Sequence, residues 1–352
     1  MVDQELSLFS DTAPILSITE LETPTPASEG LWLAKDATGW LAAVQQQSFI
    51  NPDWLQSPSN SPASQPLTTP SLCDLFQDMF HDNVDRRHGQ LSPLQIKLLL
   101  HPLQSLLYHL RQVLSCFSDG FGSRLGTRTA SKASTLVRLE EVQSLLQKWY
   151  DLCAFSAKSD PVSPVTRASL VLYNLISLNA VTSFPEIERG ARQEAFDGSN
   201  WELSFRYKRC IYQPREALFH CGQVIRLICS MPREGRPHWW SAAIYRATMI
   251  LWVDSMSRID PNTQRIEKGQ IFAIDAVTPE HPSVASYLWD GDGIPVLTKA
   301  GGYTELHRPD DVLSHCIALL DTGVAMRISD GIKRKLQTLY KNWNMESIRD
   351  HI

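Results

Sequence analysis

A few short clusters of glycine, histidine, cysteine and aspartate are the places where this sequence could carry chemistry. Gly120-x-Gly122, followed by Gly126, is close to the glycine fingerprint in which a tight turn and a helix N-terminus hold the pyrophosphate of a dinucleotide. The last glycine comes one residue too late, and the motif follows a predicted helix where the fingerprint requires a strand. We therefore interpret these glycines as a loop.

The alternating aspartates and glycines from Asp290 to Gly293 are similar to the start of a calcium-binding loop. Such a loop needs oxygen ligands at alternate positions and a bidentate glutamate at its twelfth position. Here Ile294 occupies the next ligand position, and Gly301 stands where the glutamate should be. We expect a turn without a metal ion.

Two kinds of histidine cluster were also weighed as catalytic groups. His81-Asp82 with Asp85 could belong to a metal-dependent hydrolase, but no second His/Asp cluster at helical spacing supports that interpretation, which favours a solvated helix face. In His220-Cys221 and His315-Cys316 the histidine would have to activate the adjacent thiol, yet neighbouring side chains on a helix point away from each other. Both pairs are predicted to be core positions. The sequence thus predicts no catalytic, cofactor-binding or metal-ligating residue.

The elements that would position such residues are almost all helices. Serine or proline start signals at Ser92-Pro93, Ser163-Pro164 and Pro214 each precede an apolar stripe of helical spacing. A kink is expected at Pro102. Only residues 293–306 look extended, with Gly301-Gly302 at the turn. The predicted fold class is all-α, a multi-helix domain with a Ser/Pro-rich loop and at most a short β-hairpin.

One predicted helix, from His238 to Met256, is apolar around nearly its whole circumference and should be the buried centre of the fold. It is too short for a membrane span and is interrupted by Arg246. We expect Trp240 to be buried, and Arg246 to find a carboxylate or several carbonyls, because an unpaired buried charge is costly. Its few exposed-looking residues are Ser241, Tyr245, Thr248 and Asp254.

The chain divides into four predicted segments. Residues 1–22 alternate acidic and apolar side chains, which is typical either of a disordered activation sequence or of an irregular strap docked on the helical body. Residues 23–55 form a short helical element, with one helix from Ser28 to Gln47 capped by Ser28. Residues 56–71 are a Ser/Pro-rich linker, and residues 72–352 are the main helical domain.

Composition narrows the function further. The net charge of −5 argues against a chain that grips nucleic-acid phosphates by itself, and the densest basic run, Lys333 to Lys335, is predicted to be a solvated helix face. The seven cysteines show neither metal-pair spacing nor a disulfide framework, which favours reduced, buried thiols in the cytosol or nucleus.

With chemistry largely excluded, a resemblance carries the functional interpretation. The sequence resembles the fungal-specific transcription factor regulatory domain, in particular the version found downstream of paired-Cys, paired-His zinc fingers in filamentous fungi. The motifs that carry it are the Arg-Pro-x-Trp-Trp run at 236–240, the Tyr-Leu-Trp at 287–289 ahead of Gly-x-Pro-Val-Leu, and the Gly-Ile-x-x-Lys-Leu at 331–336. Similar stretches lie at 24–41 and 309–343, so the resemblance covers nearly the entire chain.

The resemblance implies a nuclear transcription regulator, of metabolic or secondary-metabolite genes, that acts through protein contacts with transcription machinery or partner regulators. It implies zinc only in an upstream finger, which this sequence lacks, so we expect either a shortened gene product or a stand-alone regulator that contacts DNA only indirectly. No membrane contact and no other cofactor is expected. The alternative is a helical enzyme or biosynthetic-cluster protein whose active-site residues are dispersed in the sequence.

Overall fold

The computed structural model describes residues 1–17, 20–26, 29–50, 70–83, 91–118, 128–159, 163–193, 210–258, 269–324 and 326–349. They fall into two compact units. The first unit comprises Met1–Leu8 and Thr12–Ser169, and the second comprises Phe9–Asp11 and Leu170–Ile352. The predicted Ser/Pro linker up to Thr69, Asp85 and the glycine loop around Gly122 lie outside the described residues.

The first unit is helical throughout its described residues. A long antiparallel pair, α6 and α7, forms its centre, and the indole N–H of Trp149 on α7 donates a hydrogen bond of 2.7 Å to the carbonyl of Ile96. The elements are α1 (Val2–Ser10), α2 (Glu29–Leu33), α3 (Ala37–Ile50), α4 (Leu72–Phe80), α5 (Pro93–Leu98), α6 (Leu100–Ser118), α7 (Arg128–Ser159) and the first residues of α8 (Pro164–Val181).

The predicted start at Ser92-Pro93 is confirmed, because the Ser92 hydroxyl accepts the N–H of Gln95 and the Gln95 side chain returns a bond to Ser92. The expected kink at Pro102 appears as a break after Leu98. A proline removes the N–H that would bond the carbonyl four residues earlier, and its ring clashes with that carbonyl. The carbonyl in question is that of Leu98, where α5 ends.

The single helix expected from Ser28 to Gln47 is instead two helices, α2 and α3. The interruption comes from Asp36, whose carboxylate accepts the N–H of Gly39 at 2.7 Å and the hydroxyl of Thr38 at 2.7 Å. An aspartate in this position caps the N-terminus of a new helix. The predicted cap at Ser28 lies outside the described residues.

The second unit is built around one buried helix, α11, which packs against α9, α10, α13 and α14. This confirms the predicted central helix. Its elements are the remainder of α8, α9 (Phe184–Gln193), α10 (Pro214–Ser230), a 3-10 turn (Arg233–Gly235), α11 (Trp240–Ser257), β1 (Ile271–Ala273), α12 (Pro282–Trp289), β2 (Ile294–Lys299), β3 (Gly302–Glu305), α13 (Pro309–Leu320) and α14 (Arg327–Arg349).

The four exposed-looking residues of α11 are in fact buried, so that expectation was wrong. Each of three polar side chains reaches a local or tertiary partner: Thr248 donates to the carbonyl of Ile244, Tyr245 donates to Glu188, and Asp254 pairs with Arg258. A polar side chain satisfied in this way can be buried at little cost. A helical pattern shows which residues are polar and leaves open whether a partner awaits them.

The predicted hairpin is present as β2 and β3, with Lys299 opposite Gly302 and the turn at Ala300-Gly301. The structure adds a third strand, β1, which pairs with β2 in parallel. Three residues are too few to show the two-residue periodicity of a strand, which is why the sequence did not predict it. The all-α, multi-helix fold class is confirmed, with this small sheet attached. Among the described residues, no helix combines the length and apolarity needed to cross a bilayer.

Candidate functional site

The most densely charged part of the second unit surrounds Arg246 on α11. Its side chain is only 3% exposed. One guanidinium nitrogen lies 2.6 Å from Asp11 Oδ1, and another donates to Asn179 Oδ1 at 3.2 Å. The ring of Phe184 stacks 4.3 Å from the guanidinium carbon. The prediction that Arg246 would find a carboxylate is confirmed.

The carboxylate reaches Arg246 because of the way α1 ends. Asp11 has a left-handed backbone, with φ of 52°, and the N–H of Thr12 bonds the carbonyl of Ser7 at 3.1 Å. This is the geometry of a helix C-terminal motif, in which one residue in the left-handed region reverses the chain, and aspartate tolerates it better than most residues. Phe9, in the turn before it, packs on Trp239 with ring centroids 5.5 Å apart.

Burial raises the pKa of Asp11, and the attraction of Arg246 opposes that effect without cancelling it. A raised pKa beside an arginine means that desolvation of the carboxylate outweighs the ion pair. The pair is therefore held in place by the surrounding packing, and each partner depends on the other to avoid a lone buried charge.

A second carboxylate, Glu188 on α9, organises the neighbouring surface. It accepts the Tyr245 hydroxyl at 2.9 Å and Lys335 Nζ at 2.5 Å, and it pairs with Arg192 at 3.2 Å. Burial acts to raise the pKa of Glu188, but the hydrogen bonds from Lys335 and Tyr245 lower it overall. Burial, followed by the charge of Glu188, raises the pKa of Tyr245 far above its ordinary value, so the phenol stays a neutral donor.

Chemically, this arrangement holds elements together. Each carboxylate is neutralised by a cation, and the tyrosine is held in the form least suited to nucleophilic attack or proton transfer. Within the described ranges, no group of three or more histidine, cysteine, aspartate or glutamate side chains could hold a metal ion.

The histidine–cysteine pairs lie where the sequence placed them, in or beside the core of the second unit. His220 donates to or accepts from Asn174 Oδ1 through Nδ1 at 2.8 Å, and burial lowers its pKa to about 4. Burial raises the pKa of the Cys316 thiol to about 12 and that of Cys221 well above its ordinary value. Neutral thiols beside neutral histidines are inert, because the thiolate is the nucleophile.

The remaining clusters are separate from Arg246 and from each other. His81 Nδ1 lies 2.8 Å from the carbonyl of Gln77, and Asp82 pairs with Lys148 on the surface of the first unit. The run from Asp290 follows α12, with Gly291 at φ of 78° and the guanidinium of Arg215 against it, so that a side chain at Gly291 would collide with the arginine.

The acidic N-terminal segment is helical over α1, which neither sequence interpretation foresaw. In the first unit Asp3 lies 3.0 Å from His101 Nε2 and also accepts the N–H groups of Ile15 and Leu16, while Glu5 pairs with Lys97 at 3.0 Å. Leu8 is buried, whereas Val2, Leu6, Ile15 and Leu16 remain exposed. Its acids are thus largely engaged within the fold, and much of its apolar surface faces solvent.

Comparison with known proteins finds curated relatives over almost the whole chain. It is 44% identical over 344 residues to "Transcription factor 1" of Elsinoe fawcettii, which covers 97% of the chain and 35% of that protein. It is 42% identical over 354 residues to "Transcription factor PfmaH" of Pestalotiopsis fici, covering 98% of the chain and 35% of that protein. A match of 29% over 405 residues to "Transcription factor opdJ" of Penicillium oxalicum covers 99% of the chain and 45% of that protein.

The chain therefore spans between about a third and a half of the length of these relatives, all of which are named as transcription factors. No family model matches the chain, and no solved structure matches it. The chain is similar to one region of fungal transcription factors.

Proposed function

We propose that this chain is the regulatory region of a nuclear, zinc-finger-type fungal transcription factor and acts through protein contacts. The observation that carries the proposal is the similarity of nearly the entire chain to one region of proteins named as transcription factors. Control of metabolic or secondary-metabolite genes belongs to the same proposal. The helical enzyme kept as an alternative draws no support from the Arg246 or Glu188 clusters, where the titratable groups are paired or held neutral.

The contact surface we assign to this role is the exposed apolar side of residues 1–17. Val2 and Leu6 lie four residues apart on α1 and therefore share one helix face. Ile15, 87% exposed, stands on the loop that Asp3 fixes through two backbone N–H groups. Apolar side chains held in water on an ordered scaffold are typical of a protein-binding surface.

A reporter assay tests the proposal. Fused to a foreign DNA-binding domain, the chain should change reporter transcription several-fold, and Leu6→Gln with Ile15→Gln should remove most of that change. These substitutions are preferable to deleting residues 1–22, because a deletion would also remove Asp11 and leave Arg246 without its carboxylate.

The matched control is Ile328→Gln, which alters an exposed isoleucine on α14. It should leave the reporter effect unchanged. A well-expressed parent fusion without any effect on transcription would contradict the proposed function. An effect that survives in the Leu6/Ile15 variant would contradict only the surface assigned to it.

A second prediction concerns DNA: the purified chain should not bind duplex DNA specifically. Base readout needs an element that enters a groove, supported by several phosphate contacts from lysine and arginine. In the densest basic run, Lys333 pairs with Asp321 and Lys335 with Glu188. Any residual binding should be electrostatic and fall steeply between low and physiological salt.

The measurement is a titration on promoter fragments at physiological salt with scrambled DNA as competitor. A complex that survives the competitor would contradict the prediction and would reveal a DNA-reading element within these helices.

A further inference from the structure

We propose that the hairpin of α2 and α3, residues 29–50, is a self-association surface through which two copies of this chain form a dimer. We call it the tryptophan hairpin. The proposal is independent of the transcriptional role, since it concerns what covers this one surface.

The tryptophan hairpin exposes large apolar side chains that a monomer normally buries. Trp32 is 75% exposed and Trp40 is 50% exposed, and Leu33 and Leu41 beside them are also mainly in contact with solvent. Single exposed apolar residues are ordinary on a protein surface, but a contiguous group with two tryptophans marks an interaction site.

The geometry of the hairpin keeps this surface in place. Asp36 caps α3 through its bonds to Thr38 and Gly39, and the absence of a side chain at Gly30 lets α2 approach Ala43, whose Cβ would lie 3.9 Å from a Cβ at Gly30. Leu41, two residues before Ala43, is rotated by about 200° around the helix axis, so it points away from α2. An apolar residue therefore occupies the side of α3 where a solvated helix carries charge.

The absence of charge favours a second copy as the partner. Helix α3, Ala37–Ile50, contains no lysine, arginine, aspartate or glutamate. An acidic or basic partner would gain no electrostatic attraction from it, and a strongly charged one would lose hydration. Two copies of the same uncharged helix meet without the like-charge repulsion that opposes self-association of a chain with net charge −5.

The exposed area also suits a symmetric pair. With about 200 Å² for each tryptophan side chain, the exposures of Trp32 and Trp40 correspond to about 250 Å² of aromatic surface per copy. That is about a third of the roughly 800 Å² that each partner contributes to a standard interface. A two-fold axis would match the patch with itself, and two helical hairpins would then pack as four helices.

Sedimentation velocity of the purified chain over a hundredfold range of concentration tests the proposal. The parent should shift from monomer to dimer as concentration rises. Trp32→Gln with Trp40→Gln should stay monomeric across the same range, with an unchanged far-ultraviolet circular dichroism spectrum, because both side chains are exposed. The matched control, Trp289→Gln, removes a tryptophan that is 85% exposed on α12 and should dimerise like the parent.

A charge-pair experiment keeps the proposal testable without removing either tryptophan. Leu41→Glu and Leu41→Lys should each be monomeric alone, and an equimolar mixture of the two should associate. A parent that remains monomeric overturns the proposal, whatever else covers the hairpin. It is equally overturned by a dimer that persists in the double tryptophan variant, or by a Glu/Lys mixture that stays monomeric.

Discussion

Trp240→Ala should lower the free energy of unfolding by about 3–5 kcal/mol, the range for replacing a buried tryptophan by alanine. Trp240 is 2% exposed at the start of α11. The guanidinium carbon of Arg236 lies 5.1 Å from its ring centroid, and Gly323 approaches its six-membered ring from another side. Urea denaturation measures the change as a lower midpoint at constant slope.

The control is Trp289→Ala, which removes an exposed tryptophan from the same unit and should leave the midpoint unchanged. A Trp240→Ala variant whose unfolding curve overlaps that of the parent would show that α11 is not the centre of the fold.

The contact with Gly323 allows a sharper test of the same packing. A Cβ at Gly323 would lie 2.2 Å from Cζ2 of Trp240, a separation that requires the ring to move. Gly323→Ala alone should therefore be destabilising. In a Trp240→Phe background the indole atoms that meet this Cβ are gone, so the same substitution should cost less, with a coupling of about 1 kcal/mol or more.

The central helix was predictable because its evidence is local and redundant. Successive apolar residues from Trp240 to Val253 repeat at helical spacing, and proline-marked starts such as Ser92-Pro93 are set by backbone geometry within a few residues. Features of this kind do not depend on where the rest of the chain lies, and the structure confirms both.

The Arg246 cluster was predictable only in part, because its partners are distant in sequence. An arginine in an apolar helix demands a carboxylate, and that much followed from the cost of burying charge. Nothing in the sequence distinguished Asp11 from the other acids, since the choice depends on how α1 ends and where Phe9 packs. For the same reason the partners of Tyr245 and Asp254 on α11 were missed, and both were expected to be exposed.

Arg246→Ala should destabilise the chain by about 3 kcal/mol or more at neutral pH, because it leaves Asp11 partly buried without its cation. The loss should depend on pH with a definite sign. Burial already raises the pKa of Asp11 above its ordinary value of 3.8, and Arg246 is the group that holds this pKa down. Without the arginine the pKa of Asp11 rises further, so the folded variant binds a proton that the unfolded chain releases.

Protonation of Asp11 therefore stabilises the folded variant. That contribution is fully present below the pKa of the unfolded aspartate and is lost as pH rises through the higher folded pKa. The stability difference between parent and Arg246→Ala should shrink as pH falls from neutral toward 3.8. Urea midpoints of both proteins across that interval provide the measurement. A difference that stays constant with pH would mean that Asp11 is not the carboxylate left behind.

Asp11→Asn supplies the matched control for this pair, because it keeps the size of the side chain and removes its charge. In the parent it should be destabilising, since the guanidinium of Arg246 loses its anion while remaining buried. In the Arg246→Ala background it should be neutral or stabilising at neutral pH, since the unpaired carboxylate is gone, and it should remove the pH dependence of the difference from the parent that Asp11 causes. The two substitutions would then be strongly non-additive, as expected for partners in one buried ion pair. Simple additivity would instead show that Arg246 is held by Asn179 and Phe184 alone.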